Sequence, residues 1–216
     1  RLCNDESGSL VHPFTPAEHC HVAAAAAAWS KVHNRIYIWD YTVNFSHYLA
    51  PMPNIDVMAA NIRFWAKNKA EGVMLQGGYE GPAECDEMKC WVTSKLLWDP
   101  ARDEHELVRD FIEGHYGVAA PAIAEYEALA ENLRIQYKAE METPTRGIRY
   151  PMDSPFLSQD FLKKSTAIFA KAKQLAASDA QLLHRVERAE LPLLYVKCTR
   201  GQEFIGNDYA NDVAEF

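Results

Sequence analysis

The sequence predicts an α/β fold, a parallel sheet followed by a mainly helical C-terminal region, and three observations point to it. The decapeptide IYIWDYTVNF, Ile36 to Phe45, alternates isoleucine with aromatic residues and then turns polar. That composition suits a strand covered on both faces that runs directly into a loop. GVMLQGGYEG, Gly72 to Gly81, repeats the arrangement after an intervening helical pattern, and strand, helix, strand in succession implies parallel pairing. After about Glu84 the apolar spacing becomes helical and strand patterns cease.

Taken in order, Arg1 to Cys3 reads as the tail of a strand, and Asp5 to His21 as a loop of Gly, Ser, His and Pro. Val22 to Val32 is an alanine-rich helix ending near His33 and Asn34. The strand at Arg35 to Asp40 leads into a loop carrying Pro51 and Pro53, and Asn54 caps a helix with Met58, Ile62 and Trp65 on one stripe. The third strand is Gly72 to Gln76.

Met88 to Trp98 makes a helix stopped by Asp99 and Pro100, and Glu104 to His115 makes another, closed by Gly117 as a left-handed cap. Pro121 opens a long helix with Ile123, Tyr126, Ala130, Leu133 and Tyr137 on one stripe. Thr143 to Pro155, with its prolines and Gly147, is the best linker candidate. Two helices follow, Ser158 to Ala177 and Asp179 to about Cys198, with Pro192 expected to kink or end the second. The tryptophans Trp29, Trp65, Trp91 and Trp98 sit on helical stripes and read as packing.

Composition narrows the function. A chain of 216 residues with 48% hydrophobic content can bury one substantial core or two smaller ones. A net charge of -8 and a pI near 5.5 argue against nucleic acid as a partner, since phosphate neutralisation needs a basic face. No apolar run reaches membrane-spanning length, so no membrane partner is expected. The chain starts at Arg1 in sequence that already looks structural, which reads as a processed piece or an excerpt, with a secreted or periplasmic location favoured over the cytoplasm. Cys3, Cys20, Cys85, Cys90 and Cys198 are too scattered for a disulfide framework. Adjacent residues in the triplet His19, Cys20, His21 point to opposite sides in an extended segment, so no metal and no cofactor are expected.

The ends of parallel strands are where such folds bind ligands. Asp40 and Glu80, each just past a strand, are the candidate catalytic carboxylates, because glycoside cleavage needs one acid to protonate the leaving oxygen and a second as nucleophile or base. Each has a structural reading beside it: Asp40 as a cap for the following loop, Glu80 as the start of the next helix. Tyr41, Tyr48 and Tyr79 are candidate platforms for the apolar C–H faces of a sugar. His12, Asn44 and Gln76 complete the candidate substrate-binding shell, the amides being suited to orienting hydroxyls. If Asp40 faces the pocket, its neighbour Trp39 belongs in the core. The nearest cations, Arg35 and Lys89, are poorly placed to read a sugar carboxylate.

The ordered series RLC, HPF at His12 to Phe14, IYIWDYTVNF, YLAPMPN, GVMLQGGYE, KLLWDP and FIEGHYG resembles domain-of-unknown-function family 4838. The resemblance implies a glycoside-hydrolase-like protein similar to bacterial alpha-glucuronidase-type barrels. It implies that residues 1–117 are the C-terminal part of a (β/α) TIM-type barrel holding its last three strands, and that residues 118–216 are a helical domain or extension. Three strands cannot close a barrel, so the partners expected are a carbohydrate ligand and either upstream barrel strands of the same protein or a second copy. The leading expectation is a glycoside hydrolase acting on a poly- or oligosaccharide. The alternatives are a non-catalytic sugar-binding or structural module, and a helical interaction module spanning Ala119 to Cys198.

Overall fold

The computed structural model describes residues 2–3, 21–33, 35–137, 149–206 and 209–216. Strand β1 (Leu2–Cys3) is followed by α1 (His21–Val32), β2 (Ile36–Tyr41), α2 (Ile55–Lys67), β3 (Ala70–Gln76), α3 (Asp86–Trp98) and α4 (Glu104–Tyr116). After the short 3-10 turn Gly117–Ala119 come α5 (Ala120–Gln136), α6 (Gln159–Ala176), α7 (Ala180–Ile205) and α8 (Tyr209–Glu215).

The strands form one parallel sheet in the order β1-β2-β3. This corrects the expected fold class: β1 contributes only two residues, the sheet is open, and helices dominate, so the described residues form a mainly helical protein and neither a barrel nor a barrel remnant. The strand and helix order read from the sequence is otherwise found. What fails is the extension from two βα units to closure, because alternation fixes that strands are parallel but not how many there are.

The register pairs Ile38 with Val73 and Asp40 with Leu75 on one face, and Tyr37 with Gly72, Trp39 with Met74 and Tyr41 with Gln76 on the other. Helices cover the first face: Ala23 and Ala26 of α1 and Trp65 of α2 bury Ile36 and Ile38. The second face is more open, with Tyr37 58% and Met74 42% exposed. Asp40 therefore points toward the helices and Trp39 away from them, the reverse of the assignment made from the sequence.

A continuous core joins the remaining elements, running through Met52, Ile62, Val92, Leu107, Ile123, Phe161, Phe169 and Val186. Asp103 caps α4 by accepting the Glu106 N–H at 2.9 Å, and Ser158 caps α6 by accepting that of Phe161 at 3.2 Å. Gly117 ends α4 with φ 45°, a backbone that side chains with a Cβ avoid. Pro192 does not end α7. The helix runs through it because Leu193, Leu194 and Val196 are drawn into the core, and the break falls at Gly201, with φ 77° and ψ 176°. The described part of the expected linker is packed: Tyr150, Met152 and Ser154 are buried, as are Phe156 and Leu157 just beyond it. Trp65 is core as expected, but Trp29 and Trp98 stand 49% and 91% exposed.

Candidate functional site

The loop after β2 carries most of the candidate residues, and it is fastened on every side. Its start donates across to β3, the Thr42 N–H bonding Gln76 O at 3.0 Å. Its middle receives the Glu84 N–H on Tyr48 O at 3.0 Å, so the loops following β2 and β3 are joined. Asn44, fully buried, donates through Nδ2 to Tyr150 O at 2.8 Å and accepts the Ser46 N–H at 2.9 Å. The hydroxyl of Tyr150 donates to Pro51 O, and His47 Nδ1 meets the Tyr195 hydroxyl at 2.9 Å. A loop that buries this much backbone has to satisfy its polar groups internally.

Four rings follow one another along this end of the sheet. Tyr41 packs on Phe45 at 4.8 Å, Phe45 on Tyr48 at 5.3 Å and Tyr48 on Tyr79 at 6.0 Å, all edge to face. The series begins in the core, where Tyr41 is 9% exposed as the last residue of β2, and ends at the surface, where Tyr79 is 69% exposed. Burial raises the Tyr48 hydroxyl above its ordinary pKa, helped by neighbouring Tyr79 and Glu80 and opposed by Arg149. The guanidinium of Arg149 also lies over the Phe45 ring at 6.0 Å. Glu80 and Arg149, both exposed, thus sit at the same rim as the rings.

Asp40 stands apart from that rim. It is 2% exposed, its Oδ1 accepts the Tyr41 N–H at 2.9 Å, and its Oδ2 accepts Asn61 Nδ2 at 3.3 Å. Gln76 uses its side-chain oxygen to accept Trp39 Nε1 at 2.7 Å. The structure therefore brings Tyr48, Tyr79 and Glu80 together, holds Asn44 beneath them as an anchor, and turns Asp40 toward α2. His12 lies outside the described residues. Arg149, which reaches the rim from far along the chain, was not found from the sequence.

A second cluster was also missed. Lys89 of α3 is 3% exposed and donates to Thr42 O at 3.1 Å, Met52 O at 2.9 Å and Glu84 Oε2 at 2.6 Å. Beside it, a cavity of about 230 Å³ opens between α2, α3, α4 and α5, with Ile55, Met88, Val108 and Ile112 as apolar walls. Glu84 and Glu127 face this cavity, and the Cys85 thiol donates to Glu127 Oε1 at 3.4 Å. Burial, reinforced by the charge of Glu84, pushes the Glu127 carboxyl up to about 8, so it keeps its proton at neutral pH. Cys85 holds φ 51°, a left-handed backbone unusual for a residue with a side chain, and burial pushes its thiol well up. A signal for this cluster exists in α5: Glu127 falls four residues after Ile123 and seven before Arg134, which places acid and base on a stripe otherwise apolar.

Among the described residues, no cluster of three or more His, Cys, Asp or Glu side chains is arranged to hold a metal ion. Among them, no helix is long and apolar enough to cross a membrane.

Fold and site together define a mainly helical protein with a small parallel sheet, whose strand ends carry an aromatic rim flanked by one exposed acid and one exposed base. The chain belongs to the family described as Domain of unknown function (DUF4838), which it matches over residues 1–128. No curated protein and no solved structure matches it.

Proposed function

We propose that this chain is a carbohydrate-active protein that holds an oligosaccharide at the rim formed by Phe45, Tyr48 and Tyr79, with Glu80 and Arg149 bonding its hydroxyls. The observation that carries this reading is the ring series, which starts in the core and surfaces at Tyr79 beside Glu80. Sugars offer apolar C–H faces to aromatic rings and hydroxyls to charged groups, and a platform braced from below places rings at low entropic cost. Gln76, with its side-chain oxygen occupied by Trp39, keeps amide N–H groups to donate.

Binding is supported better than cleavage. Hydrolysis of a glycosidic bond takes two carboxyl groups across the scissile bond, and Asp40 is enclosed by Tyr41 and Asn61 rather than open to the rim. O-glycosyl hydrolysis is the second reading, favoured by the exposed carboxylate of Glu80 next to the rings.

Calorimetric titration with neutral and acidic oligosaccharides tests the first reading, and release of nitrophenol from aryl glycosides tests the second. Tyr79→Ala is expected to weaken binding by up to about tenfold, the value of one aromatic contact, with the melting temperature unchanged because Tyr79 is 69% exposed. Equal affinity in wild type and Tyr79→Ala refutes the platform, and turnover lost in Glu80→Gln would favour hydrolysis.

A further inference from the structure

We infer that the cavity between α2, α3, α4 and α5 is a binding site for a small organic cation, an ammonium group on a short hydrocarbon body, with Glu127 meeting the charge. The site is separate from the sugar rim, so the two readings stand or fall independently.

Size and walls come first. An apolar cavity of roughly 150 Å³ takes a benzene molecule, so about 230 Å³ lined by Ile55, Met88, Val108 and Ile112 accepts a body slightly larger than that. Charge then selects the head group. On the α3 side, Lys89 spends its three N–H donors on Thr42 O, Met52 O and Glu84, leaving none for an anion. Asp56 of α2 is paired with Arg134 at 2.6 Å, and Glu104 of α4 is joined to Arg63. After these pairings cancel, the acids left on the lining are Glu127 and Glu131 of α5. His105 and Arg109 of α4 also line it, and Arg109 reaches Glu106 at 3.9 Å. Oδ1 of Asp56 is buried and accepts no hydrogen bond, which adds an acceptor for an N–H donor.

An ammonium ion entering this space favours the ionised form of Glu127, which Cys85 continues to serve as donor. The Glu127 proton passes to solvent, and an ion pair replaces the neutral acid. Because burial holds that carboxyl at about 8, complex formation at pH 7 releases close to one proton, and affinity tightens about tenfold from pH 6 to pH 7.

The test is calorimetric titration of the full chain with cyclohexylammonium chloride at pH 6, 7 and 8, in buffers of different ionisation enthalpy. Cyclohexanol and cyclohexanecarboxylate serve as neutral and anionic comparisons. The expected result is binding of the ammonium alone, with proton release at pH 7. Glu127→Gln, whose amide replaces the neutral acid isosterically, is expected to weaken binding and flatten its pH dependence. Ala128→Phe, at an exposed position on the cavity lining, is expected to block entry without disturbing the core. Absence of ammonium binding, equal binding of cyclohexanol, affinity equal at pH 6 and 8, or full affinity in both variants overturns the proposal.

Discussion

The Nζ of Lys89 lies 2.6 Å from Oε2 of Glu84, and each side chain is only 4% exposed. Through the same ammonium group, the beginning and end of the loop after β2 are pinned to α3, at Thr42 O and Met52 O. One buried cation thereby fixes the loop that carries Phe45 and Tyr48.

Lys89→Met is expected to destabilise the protein by about 3–5 kcal/mol, the cost of leaving a buried charge without its partner. The double variant Lys89→Met, Glu84→Gln should lose less than the sum of the single changes, because neither charge then remains uncompensated. Urea unfolding of the four proteins checks this; additive losses would show that the pair is not coupled.

Gly78→Ala is expected to disrupt the loop between Tyr79 and the sheet. A Cβ there would lie 2.8 Å from the Gly81 carbonyl oxygen and 3.1 Å from the Ala83 Cβ, so backbone has to move, at about 1–3 kcal/mol. Gly81→Ala, with nothing within 4 Å of its Cβ, is the matched comparison. Thermal unfolding and oligosaccharide affinity should fall in the first variant and hold in the second.

Asp40→Asn is expected to act on stability and not on the rim. The new amide would confront the Asn61 amide that now donates to Oδ2, leaving a buried donor unsatisfied at about 1–3 kcal/mol. A lowered urea midpoint with unchanged sugar affinity is the expected pair of results. Loss of affinity in a fully folded variant would place Asp40 in the ligand site instead.

Glu127 makes stability fall as the pH rises. Its carboxyl keeps a proton in the fold up to about 8, whereas the unfolded chain releases it near the ordinary 4.5. Between those values the folded state binds the extra proton, so acid favours folding; the contribution is complete below about 4.5 and lost by about 8. Glu127→Gln should remove this slope and gain stability, on the order of a few kcal/mol, over wild type at pH 8. Urea midpoints at pH 5, 6.5 and 8 measure it, and an unchanged slope in the variant would assign the effect elsewhere.

The order of strands and helices was legible because Ile36 to Asp40 and Gly72 to Gln76 alternate or cluster as strands do, while the later apolar residues keep helical spacing. Tyr48, Tyr79 and Glu80 could be set near one another from the sequence because they lie in the loops that follow two adjacent parallel strands. Which side Asp40 faces was not: alternation puts Asp40 and Trp39 on opposite faces, but only the packing of Ala23, Ala26 and Trp65 decides which face is covered. Arg149 was hidden by sequence distance, being carried to Phe45 by the neighbouring Asn44 to Tyr150 bonds. The barrel expectation failed for a different reason, since it rested on resemblance and no periodicity within the chain counts strands. Glu127 was missed although it is a carboxylate at core spacing, because its partners Glu84 and Cys85 come from another segment.

The bonds between Asn44 and Tyr150 tie together positions 106 residues apart, and this orders events during synthesis. The ribosome delivers Phe45, Tyr48 and Tyr79 long before Tyr150, so a nascent chain can form its sheet while the Asn44 carboxamide still lacks its permanent acceptor. A polypeptide stopped at residue 128, where the family match ends, would keep the strands and lose that latch. Proteolysis of such a shortened chain should cut first between Thr42 and Asn54.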